Sequence, residues 1–198
     1  MHPWLRQVPN VISSLRILLV IPIALTLYRG DLVATLALFF LAAVSDAADG
    51  FLARRFAWQT TLGGILDPAA DKLLLATVFI VLAVLHLVPF WLMAAAVVRD
   101  VIIVLGAIAY RVCFGPLTAR ASIVSKVNTL CQAAYILSVI GREQFAVPPA
   151  WVVVALGALT FITIVISGMD YVLRYGQAAL KEARSRPQGL SADRSGLV

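Results

Sequence analysis

Six apolar stretches, each close to the length of a bilayer crossing, follow one another along the chain with only short polar interruptions. They cover roughly 10–28, 32–53, 64–86, 89–110, 123–141 and 149–173, and a spanning helix requires about 20 mostly apolar residues. Breakers mark the joints. Arg29-Gly30-Asp31 separates the first two stretches, Val88-Pro89 the third and fourth, Gly115-Pro116 follows the fourth, and Val147-Pro148-Pro149 opens the sixth. With 62% hydrophobic and 13% charged residues, the 198-residue chain lies far from a soluble domain, which is about half apolar and a quarter charged. The expectation is an all-α, polytopic membrane protein of six transmembrane helices. A short amphipathic stretch around Trp4, Leu5, Arg6 and Val8 adds an N-terminal interfacial helix. Residues 1–175 form the membrane domain in this reading. Residues 176–198 form a cytoplasmic, disordered tail, charged and containing Gly, Ser and Pro.

The basic residues orient the bundle. Arg6, Arg54, Arg55, Arg111, Arg120, Lys126, Arg174, Lys181, Arg184, Arg186 and Arg194 gather on one side, and only Arg29 and Arg142 on the other. By the positive-inside rule both termini are cytoplasmic. The net charge of +6 is accounted for by this bias and by anionic headgroups, so no nucleic acid partner is expected. The N-terminus carries neither a cleavable signal nor an arginine- and serine-rich leader, which favours the inner (plasma) membrane of a bacterium over a mitochondrial membrane. Cys113 and Cys131 have no metal-ligand or disulfide spacing, and His2 and His86 are isolated.

Carboxylates are expensive in a membrane, which makes their placement informative. Four of the ten acids fall within 26 residues: Asp46, Asp49, Asp67 and Asp71. Asp46 and Asp49 are three apart near the end of the second stretch, and Asp67 and Asp71 four apart near the start of the third. Those spacings put each pair on one helix face. The short linker from Arg54 to Leu62 makes the two helices antiparallel neighbours, and the four carboxylates converge at one level. Arg54 and Lys72 are too few to neutralise them. An oxygen-only ligand set without Cys or His favours a hard divalent ion, Mg²⁺ or Mn²⁺. Two such ions could clamp a phosphoryl group during in-line displacement. The competing reading is a set of structural ion pairs at a helix boundary. The small residues Ala47, Ala48, Gly50, Ala53, Gly63 and Gly64 around the acids would admit a bulky ligand or serve close helix packing.

Asp46-Ala-Ala-Asp49-Gly50-Phe-Leu-Ala53-Arg54, then eight residues, Gly63, three residues, Asp67, three residues and Asp71 resembles the signature of the CDP-alcohol phosphotransferases, D-x2-D-G-x2-A-R-x8-G-x3-D-x3-D. All eight fixed positions are filled. The resemblance implies that Asp46, Asp49 and Asp67 are metal ligands, with Asp71 a fourth ligand or the general base for the acceptor hydroxyl. It implies that Asp46, Asp49, Gly50, Ala53, Arg54 and Gly63 contact the CDP part of a CDP-diacylglycerol donor, with Arg54 on its phosphates. Attack of an acceptor oxygen on the β-phosphorus would expel CMP. The family also implies a homodimer. Such chemistry needs charge neutralisation and alignment more than a protein nucleophile.

Arg99-Asp100, Arg120, Ser125, Lys126 and Thr129 are the candidate acceptor residues. A charge within the fourth stretch is costly unless paired, so Arg99 either forms a structural ion pair or faces the cavity and binds a phosphate. Ser125, Lys126 and Thr129 lie within about one helical turn, a spacing that lets them share a cavity, while Arg120 and Lys126 could equally be positive-inside anchors. Val8-Pro9-Asn10, Ser13, Ser14 and Arg16 resemble the opening shared by phosphatidylglycerophosphate synthases and CMP-forming cardiolipin synthases. Ser125-Lys126-Val127-Asn128-Thr129-Leu130-Cys131-Gln132 is similar to the S-K-x-N-T-x-x-Q stretch of the latter branch; the former has a second lysine in place of Asn128. A singly charged diester also fits one lysine better than a dianionic phosphate does. The favoured acceptor is therefore phosphatidylglycerol, with glycerol 3-phosphate as the alternative. From another class, a cation-coupled transporter would also embed carboxylates, but near the midplane and with inverted repeats.

Overall fold

The computed structural model describes residues 8–56, 63–114 and 123–185, with side chains for residues 14–45, 70–109, 123–174 and 176–177. Those residues form six helices: α1 (Val8–Tyr28), α2 (Leu32–Phe56), α3 (Gly63–Val84), α4 (Phe90–Phe114), α5 (Ile123–Phe145) and α6 (Ala150–Ser185). No strand occurs among them. Among the described residues, three helical segments are long and apolar enough to cross a membrane: Phe90–Ala109, Ile123–Phe145 and Ala150–Arg174. The Trp4–Arg6 stretch, the Gly115-Pro116 break and Arg120 lie outside the described residues.

The breakers act through the backbone. After α1, Gly30 takes the left-handed conformation (φ 78°), and the Asp31 N–H donates to the Thr26 carbonyl at 2.9 Å while that of Gly30 reaches Leu27. This pair of bonds closes a helix with its last carbonyls satisfied. Asp31 then starts α2, its side chain accepting the Ala34 N–H at 3.0 Å. The same closure ends α3, where the Leu87 N–H reaches Leu82 at 2.9 Å and that of His86 reaches Ala83 at 3.1 Å. There the left-handed residue is His86, at φ 58°, in place of the glycine that such a turn favours. Ala146 does the same after α5, at φ 57°.

Packing runs opposite to that of a soluble protein. Leu15, Leu18, Ile21 and Leu25 make an exposed apolar stripe on α1, and Val98, Val101, Ile102 and Leu105 another on α4. The polar residues Arg16, Arg99, Asn128 and Gln132 are buried. Burial of charge beneath a leucine surface suits a lipid solvent, where polar groups must be satisfied internally. Ile23, Leu27, Phe39, Val78, Phe79, Leu82, Ile136 and Ile140 form the shared core.

Along their described lengths α2 and α3 each pack closely against α1. Residues 176–185, expected as the start of a disordered tail, are helical. The α6 helix continues through Ser185, because residues 176–185 contain no proline and are rich in Ala, Leu, Lys, Glu and Arg, all good helix formers. The remainder of the tail lies outside the described residues.

Candidate functional site

A small cleft of about 180 Å³ opens where α1, α2, α3 and α5 meet. Arg16, Asp71 and Thr129 give it polar chemistry, and Phe39, Ala42, Ala43, Leu74 and Leu75 supply apolar walls. Ala42 and Ala43 precede Asp46 on α2 by about one turn, and Leu74 and Leu75 follow Asp71 on α3 by about one turn. The two helices thus present to one cleft the segments that adjoin the aspartate pairs, in the register of antiparallel neighbours.

Arg16 was the residue that sequence reasoning missed as a site residue. It lies in α1 with 1% of its side chain exposed, and its Nη1 donates to Asp71 Oδ1 at 2.6 Å; the Asp71 side chain is 40% exposed. A buried arginine removed from water is costly unless a carboxylate answers it, so this contact holds Asp71 at the cleft mouth. The available signal was a charge flanked on both sides by apolar residues inside the first span, the same signal that singled out Arg99.

Asp46, Asp49, Gly50, Ala53 and Arg54 belong to α2, and Gly63 and Asp67 to α3; their side chains lie outside those described. Among the described residues, no three carboxylates, imidazoles or thiols gather as a metal site. Asp71 is the described member of the four-aspartate set, and an oxygen donor beside an arginine at a cleft suits hard-cation and phosphate chemistry.

The acceptor candidates divide. Thr129 reaches the Arg16–Asp71 cleft, its hydroxyl also donating to the Ser125 carbonyl at 3.1 Å. Ser125 points elsewhere: its Oγ accepts from Arg99 Nη2 at 2.9 Å. Lys126 is exposed and lines neither feature. Of the three, Thr129 lines this cleft, and Ser125 is engaged by Arg99. Asn128 is fully buried, and its Oδ1 accepts the Thr163 hydroxyl of α6 at 3.1 Å. It takes part in packing between α5 and α6.

Arg99 forms the structural ion pair. Arg99 is 4% exposed and bonds Asp100 Oδ1 through Nη1 at 2.6 Å, while Nη2 also donates to Ser167 Oγ. Asp100 in turn faces Lys72 Nζ at 3.5 Å. This tie links α3, α4, α5 and α6, and it begins at the residue next to Asp71. Lys72 therefore pairs with Asp100. Asp170 pairs with Arg174 at 2.7 Å, as i,i+4 spacing allows. Tyr171 donates to the Ile103 carbonyl at 2.7 Å and packs over Gly106, clasping α6 to α4.

Comparison with known proteins places these features. The sequence profile of the CDP-alcohol phosphatidyltransferases matches residues 6–166. The chain belongs to the CDP-alcohol phosphatidyltransferase family. It is 27% identical to the rat cardiolipin synthase (CMP-forming) over 201 residues, which covers 93% of this chain and 66% of that protein. The human enzyme of the same name is 28% identical, with 91% and 64% covered. The chain thus spans just under two thirds of the length of these two relatives. The CDP-diacylglycerol–glycerol-3-phosphate 3-phosphatidyltransferase of Escherichia coli is 32% identical over 183 residues, with 87% of this chain and 94% of that protein covered. Phospholipid biosynthesis is the common setting of these family members, and their acceptors differ as their names state.

Proposed function

We propose that the protein is a membrane-embedded phosphatidyltransferase that moves the phosphatidyl group of CDP-diacylglycerol to a hydroxyl of phosphatidylglycerol and releases CMP. The observation that carries this reading is the complete eight-position signature, whose last aspartate stands in a cleft with Arg16 and Thr129. Asp46, Asp49, Asp67 and Asp71 would hold divalent cations, with two Mg²⁺ or Mn²⁺ ions the fitting complement for four carboxylates. When bound, such ions supply charge neutralisation at the phosphates. Gly50, Ala53 and Gly63 would leave room for the cytidine, and Arg54 would meet the donor's phosphates.

Asp71 accepts the proton of the acceptor hydroxyl in this scheme. The acceptor oxygen forms a bond to the β-phosphorus, and the bond to the CMP oxygen breaks. Arg16 fixes Asp71 Oδ1 and so positions the carboxylate. Arg99, Arg120, Ser125, Lys126 and Thr129 remain the acceptor-side set, with Thr129 nearest the reacting cleft. The protein would cross the inner membrane of a bacterium six times, with an interfacial N-terminal helix and both termini cytoplasmic, residues 1–175 forming the membrane domain and working as a homodimer. Support for the crossing comes from three long apolar helices and the exposed apolar stripes. What is proposed for the distal residues of the tail is disorder.

A second reading, glycerol 3-phosphate as acceptor, is favoured by the Escherichia coli relative, which this chain matches over 94% of its length. The deciding experiment is CMP release by purified protein with CDP-diacylglycerol and Mg²⁺, offering either acceptor in parallel. Turnover with phosphatidylglycerol supports the first reading, and turnover with glycerol 3-phosphate alone replaces it with the second. CMP release with neither acceptor returns the transporter alternative to consideration.

A further inference from the structure

Between α4 and α6 runs a groove of about 440 Å³ that shares no lining residue with the Asp71 cleft. Its size falls within the about 300–1,000 Å³ of ligand pockets. Val98, Ile102, Val165, Met169 and Val172 line its walls and are exposed at the surface. Its floor holds a buried cation, Arg99, beside Gly168, whose missing side chain leaves the Arg99 Cγ 3.9 Å from where a Cβ would sit.

Lipid chains can cover any apolar face in a bilayer, so the apolar lining alone selects nothing. The charge selects. Among the described residues, Lys72 and Arg99 share the one carboxylate of Asp100, an excess of one positive charge. Arg99 Nε is also a buried donor without a hydrogen-bond partner, a state that buried polar groups rarely keep. A groove that is apolar along its walls and cationic at its floor complements a phospholipid, with an acyl chain along the walls and a singly anionic phosphodiester at the floor.

We infer that the α4–α6 groove holds an acyl chain of the acceptor lipid, with its phosphodiester at Arg99. This rests on the phosphatidylglycerol reading and deepens it: the donor would occupy the Asp71 side and the lipid acceptor would approach from the α4–α6 side. Glycerol 3-phosphate, having no chain, would have no use for the groove. Lys72, which follows Asp71 directly and faces Asp100, connects the two sides at one level.

The test uses the full-length protein in two experiments. In the first, unmodified protein in vesicles is photolabelled with phosphatidylglycerol carrying a diazirine on one acyl chain. Labelling of the α4 and α6 peptides around Ile102 and Met169, competed by unlabelled phosphatidylglycerol, is expected. In the second, Val98→Trp and Val172→Trp narrow the groove. The KM for long-chain phosphatidylglycerol rises about tenfold, the scale at which a hydrophobic pocket discriminates bulk. The KM for CDP-diacylglycerol stays the same, and dihexanoyl phosphatidylglycerol is affected least. Unlabelled α4 and α6 peptides in protein that turns over phosphatidylglycerol overturn this inference alone. A raised KM for CDP-diacylglycerol overturns it in favour of the donor's chain. Loss of dimer with unchanged KM overturns it in favour of a second copy on this face. Turnover of glycerol 3-phosphate and not phosphatidylglycerol overturns both this inference and the acceptor reading beneath it.

Discussion

The two buried arginines are held in contrasting ways. Arg16 bonds Asp71, a half-exposed carboxylate at the mouth of a cleft, whereas Arg99 is clamped by Asp100, Ser125 and Ser167 and tied on to Lys72. A charge gripped from several helices helps to hold the bundle together. A charge on a cleft carboxylate that still reaches solvent stands where chemistry can occur. Substitution near Arg99 is therefore expected to act first on stability, and substitution near Arg16 first on activity.

The largest effect on stability is expected from Asp100→Asn, which leaves Arg99 and Lys72 without their shared counter-charge. Breaking a buried pair costs about 3–5 kcal/mol, and thermal unfolding in detergent should show a loss near the lower end because Lys72 is partly exposed. Arg16→Met should lose less, about 1–3 kcal/mol, because water reaches Asp71 and offsets its lost partner. Its turnover should nevertheless fall further than that of Asp100→Asn when both are compared as folded protein. Equal loss of activity in the two variants would erase the contrast.

Smaller changes probe how the α4–α6 half is clasped. A Cβ at Gly106 would lie 2.8 Å from the Tyr171 hydroxyl, so Gly106→Ala must displace the ring or break its bond to Ile103. That overpacking should cost about 1–3 kcal/mol, again read by thermal unfolding. The smallest effect runs the other way. His86→Gly relieves a left-handed side-chain residue at the end of α3, and should raise stability by about 0.5–1 kcal/mol once the greater freedom of unfolded glycine is deducted.

How much was legible in sequence differs between the halves for a physical reason. Helix breaks at Gly30 and Pro89, and the family through its eight spaced residues, are local signals, and local spacing carries them. That α1 packs against both α2 and α3 depends on which apolar faces meet, which no spacing encodes. Arg16 was visible as a charge in an apolar run, but its partner lies 55 residues away. Asn128 shows the converse. Its place in a motif was plain, whereas its burial against Thr163 depends on how α5 rotates towards α6, and a rotation of one residue separates helix packing from a cleft.

Phosphatidyl transfer at the cleft where Asp71 stands requires that carboxylate. CMP release from CDP-diacylglycerol and phosphatidylglycerol with Mg²⁺ should be compared between the unaltered protein and Asp71→Asn shown to be folded. Mg²⁺-dependent release is expected to drop by about 100- to 10,000-fold in the variant, the range that a positioned acid or base contributes. Release that persists at the unaltered rate in Asp71→Asn would contradict this requirement.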